Sequence, residues 1–228
     1  MSALPRAVVF DLDGTLVETL PDIADALNRA LAESGVPALP AAETRLMIGA
    51  GAKVLVERAL AATGHAGDEG LLGRCYDRFL EHYTAIPAAG SAPFSGVREA
   101  LDGLAAAGCG MGVCTNKPHA LTGTILEALD LARYFGDAVL GGDALAVHKP
   151  DAGHLLAVLE RLGAAPGESA MVGDSATDVA AARNAGVPVI VVTFGYTDIP
   201  AAELGADAVI DSFASLEAAL RGLQAGYS

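Results

Sequence analysis

The string Asp11-Leu12-Asp13-Gly14-Thr15 follows the apolar run Ala7-Val8-Val9-Phe10. Side chains alternate along an extended backbone, so Asp11 and Asp13 share one side and Leu12 turns away. Gly14 permits a sharp turn directly after them. The carboxyl end of a parallel strand is where open α/β sheets bind ligands. A lone Asp in such a place reads equally well as a solvated turn. The whole five-residue string at a strand end reads as chemistry.

Three further groups end or follow apolar runs. Cys114-Thr115-Asn116-Lys117-Pro118 offers the Thr115 hydroxyl and the Asn116 amide, both able to hold phosphate oxygens, although Thr-Asn is also common loop chemistry. His148-Lys149-Pro150-Asp151 precedes a helical pattern. Lys149 can neutralise a carboxylate and a phosphate together, or be no more than an exposed lysine at a helix start. Ala170-Met171-Val172-Gly173-Asp174-Ser175 ends a third run, with Asp178 four residues beyond Asp174. Asp174 reads as a metal ligand and Asp178 as its supporting neighbour. Asp178 would equally complement the charge of a helix N-terminus.

The elements that must position these groups read as short buried strands over Ala7–Phe10, Met111–Cys114, Ala138–Leu140, Ala170–Val172, Pro188–Val192 and Ala208–Ile210. Continuous apolar runs of this kind suit a parallel sheet covered on both faces. Helical patterns over His119–Leu129, Ala152–Leu162, Ala176–Ala185 and Ser215–Leu223 alternate with them, which is the doubly wound α/β arrangement. About 100 residues separate Phe10 from Met111, where a plain crossover needs a dozen or more. That stretch carries helical spacing at Leu20, Ile23, Leu27 and Leu31, again between Gly51 and Thr63, and again at Leu72, Cys75, Tyr76, Phe79, Leu80 and Tyr83. The expectation is a Rossmann-like core of residues 1–14 and 87–228 with an all-helical cap, residues 15–86, inserted after the first strand. Pro87 to Pro93 forms the return linker.

Composition narrows the partners. Of 228 residues, 52% are hydrophobic and 18% charged, so a sizeable core forms and disorder is disfavoured. A net charge of −14 repels duplex nucleic acid and anionic membranes. Cys75, Cys109 and Cys114 are odd in number and include no C-x-x-C pair, so neither a disulfide framework nor a zinc site is expected. No run approaches the roughly 20 apolar residues of a membrane span. These features give a cytoplasmic expectation with no nucleic acid and no membrane as partners, and they leave monomer or homodimer open.

In order and context, Asp11-x-Asp13-Gly-Thr, Thr115-Asn116, Lys149-Pro150 and Gly173-Asp174-x-x-x-Asp178 resemble the four motifs of the haloacid dehalogenase superfamily. Within it, Val17 to Leu31, Ile48 to Leu60, Val113 to His119, Val172 to Gly186 and Phe194-Gly195-Tyr196 are similar to the phosphoglycolate phosphatases. The resemblance implies Mg²⁺ held by the Asp11 carboxylate, the Asp13 backbone carbonyl and the Asp174 carboxylate. It implies Asp11 as nucleophile, Asp13 as acid and base, and Thr115, Asn116 and Lys149 on the phosphate oxygens. It also implies a small phosphorylated metabolite as partner, 2-phosphoglycolate first, with sugar-phosphate or amino-sugar-phosphate phosphatases and a sugar-phosphate mutase as alternatives. A non-enzymatic binding protein is disfavoured because every motif position is filled. Asp13 argues against a dehalogenase, whose nucleophile attacks carbon.

Glu18, Lys53 and Arg58 are the expected cap residues that face the site. Lys53 and Arg58 are five positions apart, about 500° of helix rotation, so they do not share a face. Lys53, beside the Gly49–Gly51 turn, is the expected reader of the substrate carboxylate. Gly49-Ala50-Gly51-Ala52-Lys53 fails as a P-loop because Val54 stands where Ser or Thr is needed and no strand precedes it. His148 and His154 are expected on the surface.

Overall fold

The structure is a computed structural model that describes residues 4–226. Six parallel strands form the central sheet: β1 (Ala7–Phe10), β4 (Gly110–Cys114), β5 (Val139–Leu140), β6 (Ser169–Gly173), β7 (Val189–Val192) and β8 (Ala208–Ile210). Their order is β5-β4-β1-β6-β7-β8. The chain therefore builds one side of β1 and then crosses to the other, which puts the switch point between β1, β4 and β6. The register aligns Phe10 with both Val113 and Val172, so the three strand ends and the loops that follow them open at one level.

Alternation along β1 divides the core into two layers. Val8 and Phe10 join one buried cluster, and Ala7 and Val9 join the other, which includes Leu155, Val158 and Leu159. All four β1 residues are fully buried, as a central parallel strand requires. The helices flanking the sheet are α5 (Val97–Ala106), α6 (His119–Ala128), α7 (Ala152–Leu162), α8 (Ala176–Ala185) and α9 (Leu216–Gly226).

Between β1 and β4 the chain forms α1 (Leu20–Glu33), α2 (Ala41–Arg45), α3 (Ala52–Ala62) and α4 (Glu69–Ala85). Ile23, Leu27 and Leu31 of α1 and Leu72, Cys75, Phe79 and Tyr83 of α4 are among the buried positions, at the spacing that one helical face demands. The two passages between sheet and helices run side by side as a short antiparallel pair, β2 (Val17–Glu18) with β3 (Ala92–Pro93). Asp22 reinforces this junction: its carboxylate accepts from the Gly90 N–H at 2.7 Å and from the Ser91 hydroxyl.

The strand expectations agree with the observed sheet to within a residue or two at each end. Helix α5 has no counterpart among them, nor does five-residue α2. His154 departs from its expected surface position. It is fully buried on the sheet-facing side of α7, with Nε2 3.2 Å from the Gly141 carbonyl oxygen and Nδ1 without a partner. His148 is exposed, as expected.

Candidate active site

The loops after β1, β4, β5 and β6 gather the four motifs near the switch point. Asp11 leaves β1 almost completely buried, and its Oδ1 accepts from the Leu12 N–H at 2.7 Å and lies 2.9 Å from Lys149 Nζ. Both contacts fall on one oxygen, so the carboxylate plane is fixed and Oδ2 is left for bonds outside the chain. Lys149 Nζ also donates to Asp178 Oδ1 at 2.6 Å. The other oxygen of Asp178 accepts from the Asp174 N–H, the Ser175 N–H and the Ser175 hydroxyl. Asp178 thus caps the start of α8 and anchors Lys149 at once, so the two readings of it hold together. With its lone pairs claimed, it supports neighbouring groups and is not free to ligate.

Asp174 sits in a cradle that only glycine can line. Its Oδ2 accepts from the Tyr196 N–H at 2.6 Å, and Thr15 Oγ1 donates to Oδ1 at 3.3 Å. A Cβ on Gly195 would lie 2.1 Å from the Asp174 Cβ, and one on Gly14 would lie 2.5 Å from Oδ2. Carboxylate oxygens of Asp11, Asp174 and Asp178 all lie within 4.8 Å of one another.

Burial drives the electrostatics. It pushes the Asp11 carboxyl up to about 6, with the Asp178 charge adding to the rise and Lys149 opposing it. Burial and the charges of Asp178 and Asp11 also hold Asp174 well above the ordinary carboxylate range. Burial pulls Lys149 down, but the Asp11 and Asp178 charges outweigh it and keep the ammonium above the usual lysine range. Three carboxylates and one ammonium in a buried space call for another cation, and hard oxygen donors suit a divalent one. The donor set therefore fits a metal at Asp11 and Asp174.

Asp13 faces the same cavity from a less buried position. Lys117 Nζ lies 3.0 and 3.2 Å from its two oxygens, and the Thr19 hydroxyl donates to Oδ1 at 2.7 Å. Lys117 also donates to the Tyr83 hydroxyl of α4 at 2.8 Å, with Nζ 4.3 Å from that ring's centroid. The Thr115-Asn116 motif alone assigns no role to Lys117, its neighbour in sequence. A signal was present: Thr115 and Lys117 alternate as Asp11 and Asp13 do.

The cavity encloses about 440 Å³, open solvent at its mouth included. Its floor is Asp11, Asp13, Thr115, Asn116 and Lys117, and its roof is Ile23, Ile48, Ala52, Leu55, Phe79 and Tyr83. Thr115 Oγ1 accepts from the Lys117 N–H at 3.3 Å, so its own hydrogen remains to donate. Two expected roles change. The Asn116 amide donates to the Gly49 and Lys149 carbonyls, so its N–H groups are spent within the chain and its Oδ1 has no partner. Lys53 is exposed and lines no part of the cavity, because α3 presents Ala52 and Leu55 there and buries Leu55, Val56, Ala59 and Leu60. Arg58 is also exposed, donating to the Met47 carbonyl. Glu18 is half-buried at the β2 junction, where it accepts from the Tyr196 hydroxyl. Lys149 lies behind Asp11 and does not line the cavity.

Fold and site together define a doubly wound α/β protein with a buried carboxylate cluster at the switch point of the sheet and a helical roof over the adjoining cavity. The chain belongs to the haloacid dehalogenase-like hydrolases, whose family model matches residues 5–186. A phosphoglycolate phosphatase of Rhodospirillum rubrum is 49% identical over 93% of this chain and 90% of its own length. One of Agrobacterium fabrum is 45% identical over 95% and 93%. Among solved structures, a protein of Haemophilus somnus described as a predicted phosphoglycolate phosphatase superposes with a TM-score of 0.87 at 33% identity, covering 92% of this chain and 96% of that one. CbbY of Rhodobacter sphaeroides, solved in complex with phosphate, gives 0.81 at 28% identity over 95% and 99%.

Proposed function

We propose that the chain is a Mg²⁺-dependent phosphatase that hydrolyses 2-phosphoglycolate to glycolate and phosphate. The carrying observation is the Asp11–Lys149–Asp178 chain of charges at the edge of a small cavity that also holds Asp13. The full-length similarity to phosphoglycolate phosphatases supports the choice of substrate. Residues 15–86 serve as a cap over a core of residues 1–14 and 87–228.

Asp11 and Asp174, with the Asp13 backbone carbonyl, would hold Mg²⁺. When bound, the ion would screen the repulsion between an attacking carboxylate and a phosphate dianion. Lys149 and the Leu12 N–H orient Asp11 through Oδ1. Asp11 forms a bond to phosphorus as the ester P–O bond breaks, giving an aspartyl-phosphate. Asp13, protonated at that stage, passes its proton to the departing alkoxide. It then takes a proton from the water that attacks the aspartyl-phosphate, which releases phosphate and restores the Asp11 carboxylate. The Thr115 hydroxyl donates to a phosphate oxygen as charge builds there. The apolar roof excludes bulk water from the intermediate.

The test is kcat/KM for 2-phosphoglycolate, hexose phosphates and amino-sugar phosphates, before and after removal of metal. Activity should vanish with chelator, return with Mg²⁺ and be highest on 2-phosphoglycolate. Preference for a hexose phosphate by about tenfold or more would overturn the substrate. Full activity without metal would overturn the ion.

A further inference from the structure

Among the described residues, Lys117 is the sole cationic side chain that lines the cavity. It is 5% exposed, and its ammonium is shared between both oxygens of Asp13 and the Tyr83 hydroxyl. Asp13 must reach the leaving oxygen to protonate it, so that oxygen lies within hydrogen-bond range of the Asp13 carboxyl. In 2-phosphoglycolate a single methylene separates the leaving oxygen from the carboxylate. The carboxylate therefore falls close beside Asp13, on ground that Lys117 already occupies. The rest of the roof cannot receive a charge: Ile23, Ile48, Ala52, Leu55 and Phe79 are apolar. An anionic group placed among them without a cation would be strongly disfavoured.

On the reading of the chain as a phosphoglycolate phosphatase, we propose that Lys117 determines specificity by binding the substrate carboxylate, with the Tyr83 hydroxyl as a second donor. The class it selects is short alkyl phosphates with an anionic group one carbon from the ester oxygen. In the substrate-free protein Asp13 fills the place of that anion. Substrate entry exchanges one carboxylate partner of Lys117 for another and leaves Asp13 to face the leaving oxygen. Because Lys117 comes from the core loop after β4 and Tyr83 from α4, the carboxylate bridges floor and roof.

The experiment compares 2-phosphoglycolate with 2-hydroxyethyl phosphate, which has nearly the same size and no carboxylate. In Lys117→Met the loss of kcat/KM should be about 10²-fold greater on 2-phosphoglycolate than on 2-hydroxyethyl phosphate, as expected when one partner of a buried charge pair is removed. Lys117→Arg should recover part of that ratio. Tyr83→Phe, which keeps the ring, should lower it by about three- to tenfold, the worth of one hydrogen bond. Equal losses on both substrates in Lys117→Met and in Tyr83→Phe would overturn the assignment and leave Lys117 as a support for Asp13. Should Lys117→Met not fold, the ratios for Lys117→Arg and Tyr83→Phe decide alone: an unchanged ratio in both overturns it. A wild type that does not favour 2-phosphoglycolate over 2-hydroxyethyl phosphate would instead refute the substrate reading itself.

Discussion

The floor and the roof of the cavity are built on opposite physical terms. On the floor, ionised groups are buried and almost every polar atom has a partner: Asp178 alone accepts from Lys149, two backbone N–H groups and the Ser175 hydroxyl. The roof is an apolar face of three helices and their connections, with Tyr83, among the described residues, its one polar side chain at the cavity. A buried charge tolerates few substitutes, because removing one partner strands the other. An apolar face tolerates many, provided size and spacing are kept. In the proposed mechanism the floor therefore fixes the reaction, and substrate choice is left to the few groups where the two surfaces meet.

The largest expected effect comes from the floor. Asp11→Asn should lower turnover by roughly 10⁴–10⁶-fold, the scale for loss of a nucleophile. The fold should survive. An Asn oxygen can still accept from the Leu12 N–H, Lys149 keeps Asp178, and the buried charge that pushed the Asp11 carboxyl up is gone. Thermal melting of the metal-free variant should be unchanged or raised, the pattern of a residue that costs stability to serve activity. A well-folded variant with turnover above about a hundredth of wild type would contradict the covalent step.

How much of this was legible in the sequence differs between the same two surfaces. Asp11, Asp174, Asp178 and Lys149 announce themselves because each ends or follows a buried strand, and their positions agree with the observed cluster. The boundaries of β1, β8, α7 and α8 coincide with the apolar patterns. Helix α5 escaped because three buried positions, Val97, Leu101 and Leu104, are a faint signal in an Ala- and Gly-rich stretch. Strands β2 and β3 have two residues each, too short for any period. Lys53 stands beside a flexible turn in sequence, but direction around a helix is set by packing, and α3 packs on Leu55, Val56, Ala59 and Leu60. Likewise, Asn116 carries the right donors, and only the fold shows that they are spent on Gly49 and Lys149.

A smaller effect should come from the contact that holds roof to floor. Arg45 of α2 donates to the carbonyls of Phe194 and Gly195, and its guanidinium lies 5.7 Å from the Tyr196 ring centroid. Tyr196 in turn donates through its backbone to Asp174 and accepts at its hydroxyl from the Thr19 and Leu20 N–H groups. Arg45→Ala should reduce kcat/KM by about 5–30-fold, the worth of a hydrogen bond to a charged group with a cation–π contact. The cost should fall on every substrate alike, unlike that of Lys117→Met, because Arg45 braces the Phe194–Tyr196 segment and does not line the cavity. Unchanged kinetics would show that the roof stays in place without this contact and would weaken the division drawn between the two surfaces.

The smallest effect tests how far the dry environment of the floor extends behind it. His154 lies beneath Gly141, buried, with burial first and the Lys149 charge second holding its pKa down to about 4. On the face of α7 it precedes Leu155, Val158 and Leu159, so its burial follows from the same pattern that buries them. The neutral ring donates through Nε2 to the Gly141 carbonyl, and Nδ1 meets no partner that could stabilise a second proton. In the unfolded chain the group returns to an ordinary value near 6.5. A folded pKa below the unfolded one means that the unfolded state binds the proton more readily. The stabilisation is therefore present above about pH 6.5 and is lost as the pH falls toward and through about 4. His154→Leu removes this titration and keeps an apolar side chain on α7. Between about pH 7 and about pH 4.5, its melting temperature should fall by several °C less than that of the wild type. Comparing the two falls cancels the shared titration of the floor carboxylates. Equal falls in the two proteins would mean that water reaches His154 in the native state, and that the dry layer ends at the floor itself.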